Sequence, residues 1–216
     1  MRSAAFIVCL VLVLITGVSS PCQQTPPLDS PTIPNLPEVK PEILQLVVRD
    51  QWDRGNDMFG GKPRPASSPI DWKAVSERDE LRHAAAQKLL AEGKVESARE
   101  YFFIALLFQH SGKPEELMLA HVLAVTAASK GYVHAKWMAA ATMDRYLQSI
   151  KQPQVFGTQF IRDEKGNWTM EPYARESVSD ALRAQWCVVP LAEQEKVLQA
   201  YRDGKEGMST SVVDCK

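Results

Sequence analysis

An antiparallel α-helical domain of five to seven helices, hairpin-like and repeat-like, with one short β-hairpin late in the chain, is the fold this sequence predicts. Three observations carry it. Gly93, Gly112 and Gly131 each close a stretch of helical periodicity, as glycines at helix C-termini do. The connections between those stretches are short, which turns neighbouring helices back on one another. After Ile150 the helical signal stops and β-formers gather around Gly157.

The N-terminus reads as an export signal. Arg2 precedes an uncharged apolar run, Ala4 to Ile15, followed by the small residues of "TGVSS". The run is shorter than the ~20 residues a membrane span needs. A signal peptide is expected within residues 1–20, cleaved after Ser19, with a periplasmic or secreted product. A lipid anchor at Cys22 is the competing outcome, although Pro21 occupies a position where such signals place a small residue. Residues 21–41 hold seven prolines and read as an extended tether.

Residues 42–203 are expected to form one domain. A first helix is read over 42–59, then a Gly- and Pro-rich loop through "GGKPRPASSPIDW". Ser76 with Asp79 resembles a capping box ahead of the next helix. "VESAREYFFIALLFQHSG", "PEELMLAHVLAVTAASKG" and "YVHAKWMAAATMDRYLQSI" supply three more; Pro114, Glu115 and Glu116 suit a helix start. Gly93 and Gly131 stand 38 residues apart, each soon followed by alanine (Ala98, Ala135), a hairpin-repeat spacing that simple convergence also explains. "PQVFGTQFIRD", the turn "EKGN" and "WTMEPY" predict the hairpin. Ser177 with Asp180 reads as a second cap, and "PLAEQEKVLQAYRDG" as the last helix. Residues 204–216 read as a flexible tail.

Composition excludes several function classes. Lys and Arg total 25 against 26 Asp and Glu, a net charge of -1, so neither nucleic acid nor an acidic membrane surface is an expected partner. The mature chain has no expected membrane span. The four histidines, His83, His110, His121 and His134, include no i,i+4 pair, and no HExxH or CxxC occurs. No metal or cofactor is expected, although His110 and His121 could meet across the Gly112 turn. His110 lies in the last turn of its helix, where a cation is favoured. No GxSxG elbow is present, and "FGGKP" lacks the strand-to-helix context of a phosphate cradle. Cys187, between Trp186 and Val188, reads as a buried, inert thiol; a bridge to Cys215 is open but not suggested by spacing.

"RDQWDR" (Arg49 to Arg54), "QH" (Gln109, His110), "DRYLQSIKQPQVFGTQ" (Asp144 to Gln159) and "RAQWCVVPLAE" resemble a mostly bacterial family catalogued as domain of unknown function 6624. The resemblance spans roughly residues 42–200 and rests most on the Asp-Arg, Pro-Gln, Gly-Thr-Gln series. It implies a mainly helical domain and assigns no activity. Members often carry Tyr before Gly-Thr-Gln; Phe156 stands there in this chain, so a mechanism needing that phenol does not carry over.

The polar stretch around Asp144 is the candidate site. On a helical wheel Ala135, Ala139, Ala140, Met143, Tyr146, Leu147 and Ile150 share an apolar arc, and Asp144 falls at its edge beside Trp137. An edge carboxylate seeks donors. In one reading Asp144 and Arg145 pin the hairpin, and the glutamines satisfy buried backbone. In the other they line a pocket in which His110 and Asp144 act as catalytic groups and Gln109, Arg145, Gln154, Gly157, Thr158 and Gln159 bind. Gly157 suggests a position a Cβ would hinder. The leading expectation is a non-enzymatic interaction module for a protein or peptide partner, with a small-molecule ligand left open and its surface between the hairpin and the third and fourth helices. The alternative is a small envelope hydrolase or lyase using His110 and Asp144. Convergence of His110, Asp144 and Gln159 favours the enzyme; their separation favours the module.

Overall fold

The computed structural model describes residues 31–56, 58 and 69–205. The expected signal segment, Cys22, most of the Gly/Pro-rich loop and most of the expected tail lie outside the described residues. Pro31–Lys216 forms one compact unit. Among the described residues it contains seven helices and a single two-stranded antiparallel sheet, so the predicted class holds.

The helices are α1 (Pro41–Asp53), α2 (Trp72–Ala91), α3 (Ala98–Phe108), α4 (Pro114–Ser129), α5 (Ala135–Ser149), α6 (Asp180–Gln185) and α7 (Leu191–Arg202). The hairpin pairs β1 (Ile161–Arg162) with β2 (Trp168–Thr169), placing Ile161 opposite Thr169 and Arg162 opposite Trp168. Its turn is tied by the Asp163 carboxylate, which accepts the N–H groups of Lys165 and Asn167 at 2.9 and 2.8 Å.

Caps account for most differences between expectation and structure. α1 stops at Asp53 rather than Phe59, because Gly55 at φ +74° turns the chain out of the helix. α2 is capped by Asp71, whose side chain accepts Ala74 N–H at 3.1 Å. Ser76 and Asp79 are therefore inside the helix, not at its start, and Asp79 is spent on ion pairs. α3 has the true capping box: Ser97 accepts Glu100 N–H, and Glu100 accepts the N–H groups of Ser97, Glu96 and, from the chain entering α1, Lys40. That Ser-x-x-Glu pattern was legible in the sequence. α6 is capped by Ser179, two residues after the expected Ser177.

α3 is the central helix. Phe102 to Phe108 are buried without interruption, so this helix has no outer face over that span. α1, α2, α4 and α5 surround it, with α3–α4 and α4–α5 as the most extensive pairings. Ile33, Leu36 and Val39 of the Pro-rich segment also pack on this core, so the extended tether expected up to residue 41 gives way before Ile33. Burial on α5 differs from the wheel: Met138, Ala141 and Thr142 are inside while Ile150 is exposed. α4 covers one side of the helix and the segment after it folds back on another, which widens and rotates its buried sector. A second, smaller core joins Met170, Tyr173 and Leu198 under Phe160 and Trp168. The hairpin strands thus sit on α7, whereas the expected surface lies between the hairpin and the helices of residues 114–129 and 135–149, α4 and α5.

Cys187 is buried as expected, but it is disulfide-bonded rather than a free thiol. Its partner lies outside the described residues. No helix among the described residues is long and apolar enough to cross a membrane.

Candidate functional site

Asp144 and Arg145 are neighbours on α5 and serve two different places. Asp144 is fully buried. Its Oδ1 accepts the N–H groups of Val155 and Phe156 at 2.8 and 3.0 Å, and its Oδ2 accepts the N–H and hydroxyl of Thr158 at 2.9 and 2.8 Å. Four donors converge on one carboxylate, which suits its ionised form. Burial pushes this carboxyl up, and the four hydrogen bonds pull against it.

Gln154 and Gln159 complete the joint. The Gln154 amide donates to the carbonyls of Gln159 and Met170 and accepts Gln159 N–H. The Gln159 amide donates to the Ala141 carbonyl and the Thr158 hydroxyl. Arg183, also fully buried, was not singled out from the sequence: its guanidinium donates to the Phe156 carbonyl and the Tyr173 hydroxyl. A buried arginine inside "RAQW" has no periodic signature; only the folded loop supplies its acceptors.

Gly157 sits between them at φ +72°, and a Cβ there would lie 2.6 Å from the Tyr173 ring. Gly157→Ala meets both a strained backbone and a ring that Arg183 holds in place. A loss of about 2–4 kcal/mol in urea unfolding is expected, from αL strain plus overpacking. A loss below ~0.5 kcal/mol would mean Tyr173 swings away freely.

The second place lies where α1, α2, α3 and α5 approach one another. Asp50 on α1 is fully buried and accepts from Arg54 Nη1 at 2.7 Å and from Gln51 Nε2 at 2.8 Å. The His110 ring, just past the end of α3, places Nδ1 3.2 Å from the same carboxylate. Arg54 also donates to Asp79 at 2.6 Å, and Arg82 donates to Asp79 and Asp53 at 2.6 and 2.8 Å. Three helices are thus crosslinked by carboxylates at 50, 53 and 79. The His110 Nε2 faces the Gln109 amide at 3.5 Å.

Arg145 belongs here. Its Nε is out of reach of solvent and has no hydrogen-bond partner, and the same holds for the Gln148 amide nitrogen three residues on. Burial and then the Arg54 charge push the Arg145 guanidinium below its ordinary value. His110 is likewise pushed below 6.5, by burial first; Asp50 opposes this, and the charges of Arg54 and Arg145 add to it. The helix-end cation expected at His110 is therefore a neutral imidazole at neutral pH: burial outweighs the favourable helix terminus.

The structure brings together Gln109, His110 and Arg145 of the expected site residues, and adds Asp50, Gln51 and Arg54. It places Asp144, Gln154, Gly157, Thr158 and Gln159 in the structural joint. No hydrogen bond links His110 to Asp144 or Gln159 among the described residues. His121 does not meet His110; its Nδ1 bonds the Ala139 carbonyl at 2.9 Å. The stretches "RDQWDR", "QH" and "DRYLQ" each contribute to the Asp50–His110–Arg145 cluster, although "RDQWDR" and "QH" are short and unremarkable in isolation.

Two cavities open elsewhere. One of about 620 Å³ lies between the hairpin and α7, and one of about 440 Å³ between α1 and α2; His110 and Asp144 line neither. Among the described residues no group of three or more His, Cys, Asp or Glu could hold a metal ion. No protein-family model, curated protein or solved structure matches this chain.

Proposed function

We propose that this chain is an exported, non-enzymatic binding module whose ligand seats on the cluster formed by Asp50, Arg54, Gln109, His110 and Arg145. The observation that carries this reading is Arg145, a largely buried guanidinium that pairs with no carboxylate among the described residues. Leaving a buried charge unpaired is costly, and proteins retain such groups where a partner completes them. Gln194 on α7 is also buried with no partner, but it is neutral and fully enclosed. Arg145 is charged and keeps part of its surface open. Asp144 offers a ligand nothing, because both its oxygens are spent on the loop. The resemblance to family 6624 rests on the same residues and is retained as part of this reading, as is export, which rests on the run from Ala4 to Ile15.

One observation favours an enzyme instead. Asp50 against His110 Nδ1 leaves Nε2 as a base, so a hydrolase or lyase would use His110 with Asp50 rather than with Asp144. A thermal-shift screen of neutral, cationic and anionic metabolites separates the two. The module predicts hits that disappear in Arg145→Met and survive overnight incubation unchanged by NMR. Conversion of a hit, lost in His110→Asn, would establish the enzyme.

A further inference from the structure

The partners of each group in the cluster restrict what can complete it. Asp50 already takes Arg54, Gln51 and His110, so it has little left for Arg145. Asp79 is held by Arg54 and Arg82. Arg54 and Arg82 take up the carboxylates of Asp50 and Asp79, and Asp53 is shared between Arg82 and Arg78. Among the described residues no carboxylate pairs with Arg145, and its Nε has no hydrogen-bond partner. The complement is an anion.

His110 adds a second constraint. Its Nδ1 faces a carboxylate and so carries the ring hydrogen, because two acceptors at 3.2 Å would repel. In the neutral ring Nε2 is then a lone pair. Nε2 faces the Gln109 amide nitrogen at 3.5 Å and the Arg145 charge acts on the same ring, so an anion seated at Arg145 favours the protonated imidazole over the neutral one. Asp50 on the far side of the ring is placed to stabilise an imidazolium once the new charge arrives.

Resting on the reading of this cluster as a ligand site, we propose that the ligand is a small oxyanion, of the carboxylate, phosphate or sulfate class, held by Arg145, and that His110 takes a proton on Nε2 as it binds. One proton moves from solvent to Nε2; no other bond changes. The groups facing His110 are Asp50 and Arg54 from α1, Gln109 after α3 and Arg145 from α5, with Asp79 and Arg82 of α2 acting through Arg54.

The sign of the pH effect follows. Without ligand, burial and the two arginines hold His110 below 6.5, so the unfolded chain binds the proton better and acidification below that value costs stability. A bound anion cancels the Arg145 charge and adds attraction, which raises the ring's affinity for the proton. Affinity therefore strengthens as pH falls through the bound-state value and levels off below the free-state one.

Sulfate is the sharpest probe because it stays fully ionised across this range, so any proton taken up must go to the protein. Titration calorimetry of the intact mature protein with sulfate, in two buffers of different ionisation enthalpy, should show uptake of about one proton per site. The sulfate-induced rise in melting temperature should be severalfold larger at about pH 5.5 than at about pH 8, either side of 6.5. Phosphate should bind with smaller uptake, since it brings a proton itself, and acetate more weakly. Arg145→Met should abolish binding. Arg145→Lys, which keeps the charge and guards against misfolding, should weaken it roughly tenfold by losing the planar fork. His110→Asn should bind without pH dependence. Sulfate binding without buffer-dependent heat would overturn the proton coupling while leaving the anion site. Arg145-dependent hits that are all neutral would overturn the ligand class, and a screen without any Arg145-dependent hit would remove the binding reading itself.

Discussion

Asp144→Ala is expected to lower unfolding free energy by on the order of 5 kcal/mol. It strips the acceptor from three backbone N–H groups and the Thr158 hydroxyl at once. A buried donor left unmade costs roughly 1–3 kcal/mol, and the loop recovers part of that by admitting water. Asp144→Asn separates charge from shape. Its oxygen can keep Val155 and Phe156, but its NH₂ then confronts two donors of Thr158. About 2–3 kcal/mol is expected for that variant, so the series should run wild type, Asn, Ala in falling stability. Thermal and urea melts measure it directly. An Asn variant that melts at or above wild type would show that Asp144 is held at a stability cost, as functional carboxylates are, and would return it to the candidate catalytic groups.

Phe108→Ala is the matching apolar test, with an expected loss of about 3–5 kcal/mol. Phe108 is fully buried at the end of α3, with its ring centroid 5.0 Å from that of His83. Nothing around it can collapse easily, because α1, α2, α4 and α5 all lean on this helix. Gln109 and His110 follow directly, so the cavity should also loosen the His110–Asp50 contact and speed amide exchange at residues 109–111. Phe102, at 8% exposed, should lose less than Phe108 when truncated to Ala. A loss under about 1 kcal/mol for Phe108→Ala would mean the core repacks around α3.

Much of this was legible along the chain. Gly93 and Gly131 punctuate the helices, both with positive φ, and Ala98 and Ala135 open the helices that follow them. The turn at Glu164 to Asn167 is legible as a hairpin turn, although the strands beside it are only Ile161–Arg162 and Trp168–Thr169, far shorter than "PQVFGTQFIRD" and "WTMEPY" suggest; Gly157 is legible as a position a Cβ would hinder. These are local signals: backbone conformation at one residue, or a pattern repeating every few. Helix starts were less legible because several polar residues compete to cap. Asp71 prevailed over Ser76, and Ser179 over Ser177.

The site was legible only in pieces. Asp144 and Arg145 stand together in the sequence, and both sequence readings place them at one site, since adjacency in sequence suggests adjacency in space. On a helix, neighbours point about 100° apart, and here that angle sends one side chain into a loop and the other into an ion cluster. Sequence by itself determined the helical class, the late hairpin and the residue types available for a site. Tertiary structure alone decided that His110 pairs with Asp50, that Arg145 meets no carboxylate among the described residues, and that Asp144 is consumed. Pairing among charges 60 or more residues apart depends on which helix faces converge around α3, and local periodicity carries no information about that.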